Sequence, residues 1–219
     1  MIVIKLSGKL FENITLIYEY INIIKKYVDK GAIVVGGGET ARRYIDYAKR
    51  LGANNYFLDV IGIEASRLNA WVVVAGLGED AYPKPAETLA EALAASASRK
   101  YVVLGGLQPG QSTSTVAALV AEALNARVLI NCAGIDAVYE EDPRSNPSAK
   151  KYDEVKAADL LAILRSRALP GTYELADIWS LEILRRSKIP MYIVDGRNPK
   201  LLEGVLLGRA KPGTVVVPE

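Results

Sequence analysis

The stretch Val34-Val35-Gly36-Gly37-Gly38-Glu39-Thr40-Ala41-Arg42-Arg43-Tyr44 constrains this chain more than any other. The apolar run Ala32 to Val35 predicts a short buried strand. Three glycines follow it at once. The next segment, Glu39 to about Arg50, predicts a helix with Ala41, Ile45 and Ala48 on its apolar face. A strand, then glycines, then a helix start is the physical recipe for an anion site. Glycine lets the backbone approach a ligand because no Cβ stands in the way. The helix start offers N–H groups without intrahelical partners and the positive end of the helix dipole. Arg42 and Arg43 fall in the first turn, where the dipole disfavours cations. Two readings of them are open: service to an anionic ligand, or solvated side chains beside a tight turn.

The same pattern recurs along the chain. Met1 to Leu6 and Tyr101 to Leu104 also predict short buried strands, and each ends in small residues: Ser7-Gly8-Lys9 and Gly105-Gly106-Leu107-Gln108-Pro109-Gly110-Gln111-Ser112-Thr113. Further strands are expected at Arg127–Asn131, Pro190–Val194 and Thr214–Val217. Helices are expected from Leu10 to about Asp29, at Phe57–Leu77, Glu87–Ser98, Ser114–Asn125, Ala157–Arg165, Glu174–Ser187 and Pro199–Gly204, with Gly76 and Gly78 ending the Phe57 helix. The polar, proline-bearing segment Glu140–Lys151 predicts an exposed loop. Strands alternating with helices imply an α/β fold, a three-layer αβα sandwich with a mostly parallel central sheet. Ligands of such sheets bind outside the carboxyl ends of the strands, so the three glycine-bearing loops can converge on one cleft. No internal repeat or linker interrupts the pattern, and one domain spanning residues 1–219 is expected.

Composition narrows the chemistry. The 219 residues suffice for a sizeable core, and 27 basic against 25 acidic residues leave a net charge of only +2. That balance makes no case for nucleic acid or a membrane surface as main partner. The chain has no histidine, which excludes a histidine base or histidine metal ligand. Cys132 is the only cysteine, which rules out an intrachain disulfide and fits a reducing cytoplasm. The first residues lack the pattern of a signal peptide, and no apolar run is expected to span a bilayer. Lys5 stands in an otherwise apolar strand, where a charge without a role would be costly.

Neither the P-loop pattern nor the dinucleotide fingerprint is present: Leu10 follows Lys9, and the third glycine is missing after Gly38. Lys5-Leu6-Ser7-Gly8-Lys9 together with Gly36-Gly37-Gly38 instead resembles the amino acid kinase family, whose members transfer the γ-phosphoryl group of ATP. Asp59-Val60-Ile61-Gly62-Ile63, Gly105-Gly106 with Pro109-Gly110-Gln111-Ser112-Thr113, Asp136-Ala137-Val138-Tyr139 with Asp142-Pro143, and Gly171-Thr172-Tyr173-Glu174-Leu175 narrow the likeness to the archaeal-type uridylate (UMP) kinases. The motifs cover nearly the whole chain in consistent order.

The resemblance implies roles for particular residues. Lys5 matches a lysine that stabilises the transferring phosphoryl group, and Asp136 an aspartate that orients it. On the ATP side it implies Gly8, Lys9, Gly38, Arg42, Ala133, Tyr139 and Asp142. On the UMP side it implies Gly37, Asp59 for the ribose, and the loop Leu107, Gln108, Pro109, Gly110, Gln111, Ser112 and Thr113. It also implies Mg²⁺ bound with ATP, a homohexamer and a cytoplasmic enzyme. Departures exist: Ala133-Gly134-Ile135-Asp136-Ala137 stands where T-N-V-D-G is usual, Ser114 replaces an aspartate and Ile178 a proline. Taken as residue types alone, Lys9 is also a possible turn residue, Asp136 a turn cap and Tyr139 a core residue. Within the same superfamily, acetylglutamate, carbamate and isopentenyl phosphate stand as rival acceptors, and a non-catalytic nucleotide sensor is a rival of another class.

The chemistry agrees with the resemblance. Phosphoryl transfer between two phosphates is mostly positioning and charge stabilisation. A nucleoside monophosphate is already an oxyanion at neutral pH and needs no histidine base.

Overall fold

The computed structural model describes residues 1–141, 143, 145–166 and 176–219. Asp142 and the Gly171–Leu175 motif lie outside the described residues. A seven-stranded sheet forms the middle layer. Its parallel part comprises β1 (Ile2–Leu6), β2 (Gly31–Val35), β3 (Tyr101–Leu104), β4 (Leu129–Ala133) and β8 (Met191–Asp195). β9 (Thr214–Val217) adds to β8 antiparallel, and β7 (Glu154–Lys156) lies parallel to β9 at the edge. The order is β3-β2-β1-β4-β8-β9-β7, and β5 (Val138–Tyr139) pairs separately with β6 (Lys151–Tyr152). The sequence suggests a loop or short strand over Ala133–Tyr139, and β5 is that strand; β6 and the edge strand β7 were not expected. Each has only two or three residues, too few for a period-two pattern to stand out.

The strands are buried on both faces, and their side chains alternate between two cores. Ile2, Ile4, Leu6, Ile33, Val35, Tyr101 and Val103 face one core, which also takes residues of α1 (Ile14–Tyr27), α3 (Asn55–Leu77) and α8 (Pro199–Leu206). Val3, Ala32, Val34, Val102, Leu104 and Leu129 face the other. That core is covered by α4 (Leu89–Ser98), α5 (Thr113–Ala123), α6 (Ala157–Ser166) and α7 (Ile178–Arg186). The expected three-layer αβα sandwich is thus the observed architecture.

Three features differ notably from expectation. The first helix is split, with a 3₁₀ turn over Gly8–Glu12 followed by α1. Asn13 takes an extended conformation between them, and its side chain accepts from the Thr15 N–H as an N-cap. Gly76 does not end α3; the helix continues to Leu77 and Gly78 terminates it with φ +68°. Gly76 instead lies against α1, where an added Cβ would come 2.2 Å from Ile21 Cδ1. Finally, α3 is long and apolar enough to cross a membrane by composition alone, contrary to the sequence expectation. In this fold Ala70, Val73, Val74 and Leu77 belong to the core beneath β1–β3, which explains the apolar content without a bilayer.

Candidate functional site at the carboxyl ends of the strands

Three of the glycine-bearing loops meet at the carboxyl end of the sheet. The turn after β1 and the loop after β2 touch backbone to backbone. A Cβ on Gly8 would lie 2.1 Å from Gly38 N and 2.7 Å from Gly36 C, and one on Gly38 would lie 2.2 Å from Gly8 O. The Gly36 N–H donates to Leu6 O at 3.0 Å, tying the two strand ends together. Gly38 has φ +62° and starts α2 (Gly38–Arg50), where a side chain would be strained even with room for it. Its N-cap is Gly37, with no side-chain cap, so the first N–H groups of α2 face outward unclaimed by any capping side chain.

The other side of the same glycine segment rests on α3. A Cβ on Gly37 would lie 3.2 Å from Gly62 O and 3.5 Å from Ser66 N. Gly62 and Ser66 also line a cleft of about 120 Å³, together with Ile45, Leu58, Asp59, Ile63, Gly106, Gln111 and Thr113. The Asp59 carboxylate accepts from the Gly110 N–H at 2.8 Å, so the tip of the loop after β3 is tied to the start of α3. That tip is a turn: the Gln111 N–H donates to Gln108 O at 3.3 Å, with Pro109 second and Gly110 third at φ +81°. Leu107, Gln108, Pro109 and Gly110 thus shape the loop, while Gln111 and Thr113 reach the cleft. Gln111 Oε1 is buried and has no hydrogen-bond partner among the described residues. An unsatisfied buried acceptor is expensive, and beside a cleft it is a place for a ligand donor.

Ser112 is committed elsewhere. Its hydroxyl accepts from the Ser114 and Thr115 N–H groups at 3.0 Å each, capping α5, and donates to Asp177. Asp177 also accepts from Thr115 Oγ1 at 2.8 Å and forms a capping box with Ser180 on α7. Its carboxylate therefore fastens the starts of α5 and α7 together.

Lys5 is buried, at 5 % exposure, on the sheet face beneath α5. Its ammonium donates to Asn131 Oδ1 at 3.4 Å, across the β1–β4 pairing in which the two residues are partners. Asp136 is half-buried and accepts from the Tyr139 hydroxyl at 3.0 Å. Burial first, and the bond to Asp136 second, raise the Tyr139 phenol above its ordinary range. The backbone of Asp136 is packed on Gly213, where a Cβ would stand 1.6 Å from the Asp136 carbonyl oxygen. The Ala133 carbonyl, at the end of β4, accepts from the Gly196 N–H at 2.7 Å. Beside it, a two-pronged contact from the Arg197 guanidinium at 2.7 and 2.8 Å holds the Asp195 carboxyl below its usual range. Cys132 is fully buried and its thiol is pushed up to about 12, leaving it an inert core residue. Lys9 is half-buried in the first turn beyond β1. Arg42 is half exposed and pairs with Glu39 at 3.0 Å and Glu12 at 3.9 Å. These two carboxylates offset a cation that the helix start would otherwise disfavour.

Four residues that hold the site escaped sequence reading. Asn131 is a single amide in the apolar strand Leu129–Ala133. Ser66 and Asn69, at 1 % and 8 % exposure, are buried polar side chains inside α3. Arg67, also on α3, donates to the carbonyls of Gly106 at 3.3 Å and Leu107 at 3.5 Å. The available signal was the same in each case: a polar residue inside an apolar run is expensive unless it has a partner.

Comparison with known proteins agrees with this geometry. Residues 1–195 match the amino acid kinase family. The chain is 54% identical over 215 residues to a uridylate kinase of Pyrobaculum neutrophilum, covering 98% of both chains. It is 45% identical over 223 residues to a uridylate kinase of Staphylothermus marinus, covering 99% of this chain and 98% of the relative. The crystal structure of uridylate kinase from Archaeoglobus fulgidus superimposes with a TM-score of 0.89 at 37% identity, covering 99% of each chain. With the glycine cradle, the buried lysine and the cleft on α3 in one place, and with this match along its length, the chain belongs to the amino acid kinase family.

Proposed function

We propose that this protein is a uridylate kinase, transferring the γ-phosphoryl group of MgATP to UMP to give ADP and UDP. One observation carries the reading: Gly36–Gly38 lies between the Gly8 turn on one side and the α3 cleft on the other. A donor phosphate chain on the first side and an acceptor phosphate on the second would meet at these glycines. The likeness to uridylate kinases along the full chain supports the choice of acceptor.

In this reading the α2 N-terminus and the Gly8 and Gly38 backbone receive the phosphates of ATP. Lys5 supplies positive charge to the transferring group and Lys9 to the chain behind it. Asp136 orients the catalytic lysine, Ala133 and Tyr139 form the adenosine side, and Arg42 serves ATP from the start of α2. Asp59 faces the ribose hydroxyls of UMP. Gln111 Oε1 is an acceptor suited to the N–H on the Watson–Crick edge of uracil, which would satisfy this buried atom. Among the described residues no group of three or more carboxylate, cysteine or histidine side chains can hold a metal. A magnesium ion bound with the nucleotide would take most of its ligands from phosphate and water, as Mg²⁺ on nucleotides usually does. When bound it neutralises charge on the β- and γ-phosphates. A cytoplasmic location is part of this reading, since free nucleotides are its substrates.

The test is ADP formation from MgATP with a panel of acceptors. UMP is expected first, dUMP and CMP at least about tenfold behind in kcat/KM, and AMP and GMP at background, because a hydrogen-bonding pocket rejects analogues that leave its polar groups unpaired. Asp59→Asn is expected to raise KM for UMP about tenfold while changing KM for ATP less. Faster turnover of acetylglutamate, carbamate or isopentenyl phosphate than of UMP would overturn the acceptor assignment.

The protein is further proposed to act as a homo-oligomer, hexameric as its resemblance implies. Support comes from α3, which exposes Leu68, Trp71 and Val72 at 59 %, 49 % and 41 % on one stripe. Exposed apolar stripes of this kind mark contact surfaces. Sedimentation at micromolar concentration is expected to give a compact oligomer, and Trp71→Glu a smaller species. A monomer for the wild-type protein would refute the assembly.

A further inference from the structure

We infer that Asn69 of α3 is a positioning residue for phosphoryl transfer: it orients the Gly36–Gly37 peptide plane of the glycine loop so that its N–H group faces the phosphates. The inference deepens the proposed kinase reading and rests on it for the identity of the ligand. The Asn69 amide nitrogen donates to Gly36 O at 2.9 Å and to Gly37 O at 3.3 Å. A primary amide has two N–H donors, so two adjacent carbonyls claim both. In a trans peptide the C=O and the following N–H point in opposite directions, and the described residues contain no cis peptide. Gly37 O also accepts from the Ala41 N–H of α2 at 3.2 Å, so Asn69 acts chiefly on the Gly36 carbonyl; holding that carbonyl towards α3 turns the Gly37 N–H away from it. Gly38 N lies 2.1 Å from where a Gly8 Cβ would be, so only hydrogen separates the two backbones on that side. No backbone acceptor among the described residues takes the N–H of Gly37 or Gly38.

Glycine is free to rotate its peptide planes, and that freedom is the reason an anchor is needed. The Gly36 N–H is held by Leu6 O and the Gly37 carbonyl by the Ala41 N–H, which leaves the Gly36–Gly37 peptide plane between them for Asn69 to hold. Preorganised donors stabilise developing charge only if they need not reorient during the reaction. Asn69 supplies the constraint from a buried, packed helix. One turn earlier, Ser66 does the corresponding work on the acceptor loop. Its hydroxyl donates to Ile63 O at 2.6 Å and accepts from the Gly106 N–H at 2.7 Å. The two side chains give separable roles: Asn69 acts on the loop shared by both substrates, and Ser66 on the acceptor side alone.

The experiment compares wild type with Asn69→Leu, Asn69→Asp, Ser66→Ala and Ser66→Thr by steady-state kinetics with MgATP and UMP, alongside thermal melts. Leucine keeps the shape of asparagine and removes both donors; aspartate keeps the shape and sets an acceptor against two carbonyl oxygens. Both Asn69 variants are expected to melt as folded proteins and to lose about 10- to 30-fold in kcat, with aspartate the worse. Each KM is expected to change by less than about threefold. Ser66→Ala is expected to raise KM for UMP about five- to tenfold with kcat within about threefold, and Ser66→Thr, which retains the hydroxyl, to recover wild-type KM. If Asn69→Leu keeps kcat within about threefold of wild type, the side chain serves packing alone and the inference is wrong. A loss of kcat that only tracks the unfolded fraction in the melts overturns it as well. Failure of the wild-type protein to use UMP would instead strike the proposed acceptor, and the same variants would then be compared with whichever acceptor it uses.

Discussion

Lys5→Ala is expected to lower kcat by about two to three powers of ten, the range for removing one preorganised charge-stabilising donor from an active site. The residue sits at 5 % exposure in a strand whose neighbours are all apolar. Burying an ammonium is unfavourable unless it has a role or partners, and Asn131 at 3.4 Å is one partner of this one. Replacement by alanine removes the charge while β1 stays paired with β2 and β4 through its backbone, so the protein is expected to fold. KM for ATP should change much less than kcat, because the charge acts on the group in transfer more than on the bound ground state. Lys5→Met, which keeps the bulk of the stem, is expected to lose as much activity as Lys5→Ala. Near-normal turnover in either folded variant would assign the role to another cation, with Lys9 first in line.

Gly8→Ala is expected to lower kcat/KM by about 100-fold and to reduce the melting temperature. All three atoms nearest the added methyl belong to backbone, at 2.1 Å for Gly38 N, 2.6 Å for Gly38 Cα and 2.7 Å for Gly36 C. A flexible side chain can move aside cheaply, but this backbone is tethered by the Gly36 N–H bond to Leu6 O and by Asn69. Forcing a methyl into such a space costs about 1–3 kcal/mol. The loop must also shift by about 1 Å, and misplacing positioning groups by that much can cost a factor of about 10² in rate. A coupled kinase assay with a thermal melt checks both effects. A stable Gly8→Ala variant with wild-type kinetics would show that the two loops part without consequence, and that their contact is not the phosphate cradle.

The sheet strands other than β7, their glycine ends and most helices were legible in the sequence because each is a local matter. Apolar runs of four or five residues, φ-permissive glycines and a 3.6-residue period are written within a few consecutive positions. Lys5 was visible for the same reason, as one charge in an apolar strand. Boundaries failed where a side chain decided them, as at Asn13, whose cap separates the 3₁₀ turn from α1. Gly76 misled because a glycine can end a helix or admit a neighbouring one, and only the approach of Ile21 distinguishes the two.

By itself the sequence determined the α/β class, the three glycine-bearing loops, the absence of histidine chemistry and, through its ordered motifs, the kinase resemblance. Only the tertiary structure decided which side chains hold those loops in place. Ser66, Arg67 and Asn69 reach glycines some 30 to 40 positions away in the chain, Asn131 meets Lys5 across a strand pair, and Asp177 joins two helix starts 62 to 65 residues apart. Such contacts follow from how crossovers stack helices on a twisted sheet. No window of the chain encodes that separation. A buried amide in an apolar helix shows that a partner must exist, and its identity is set by the packing that brings the two together.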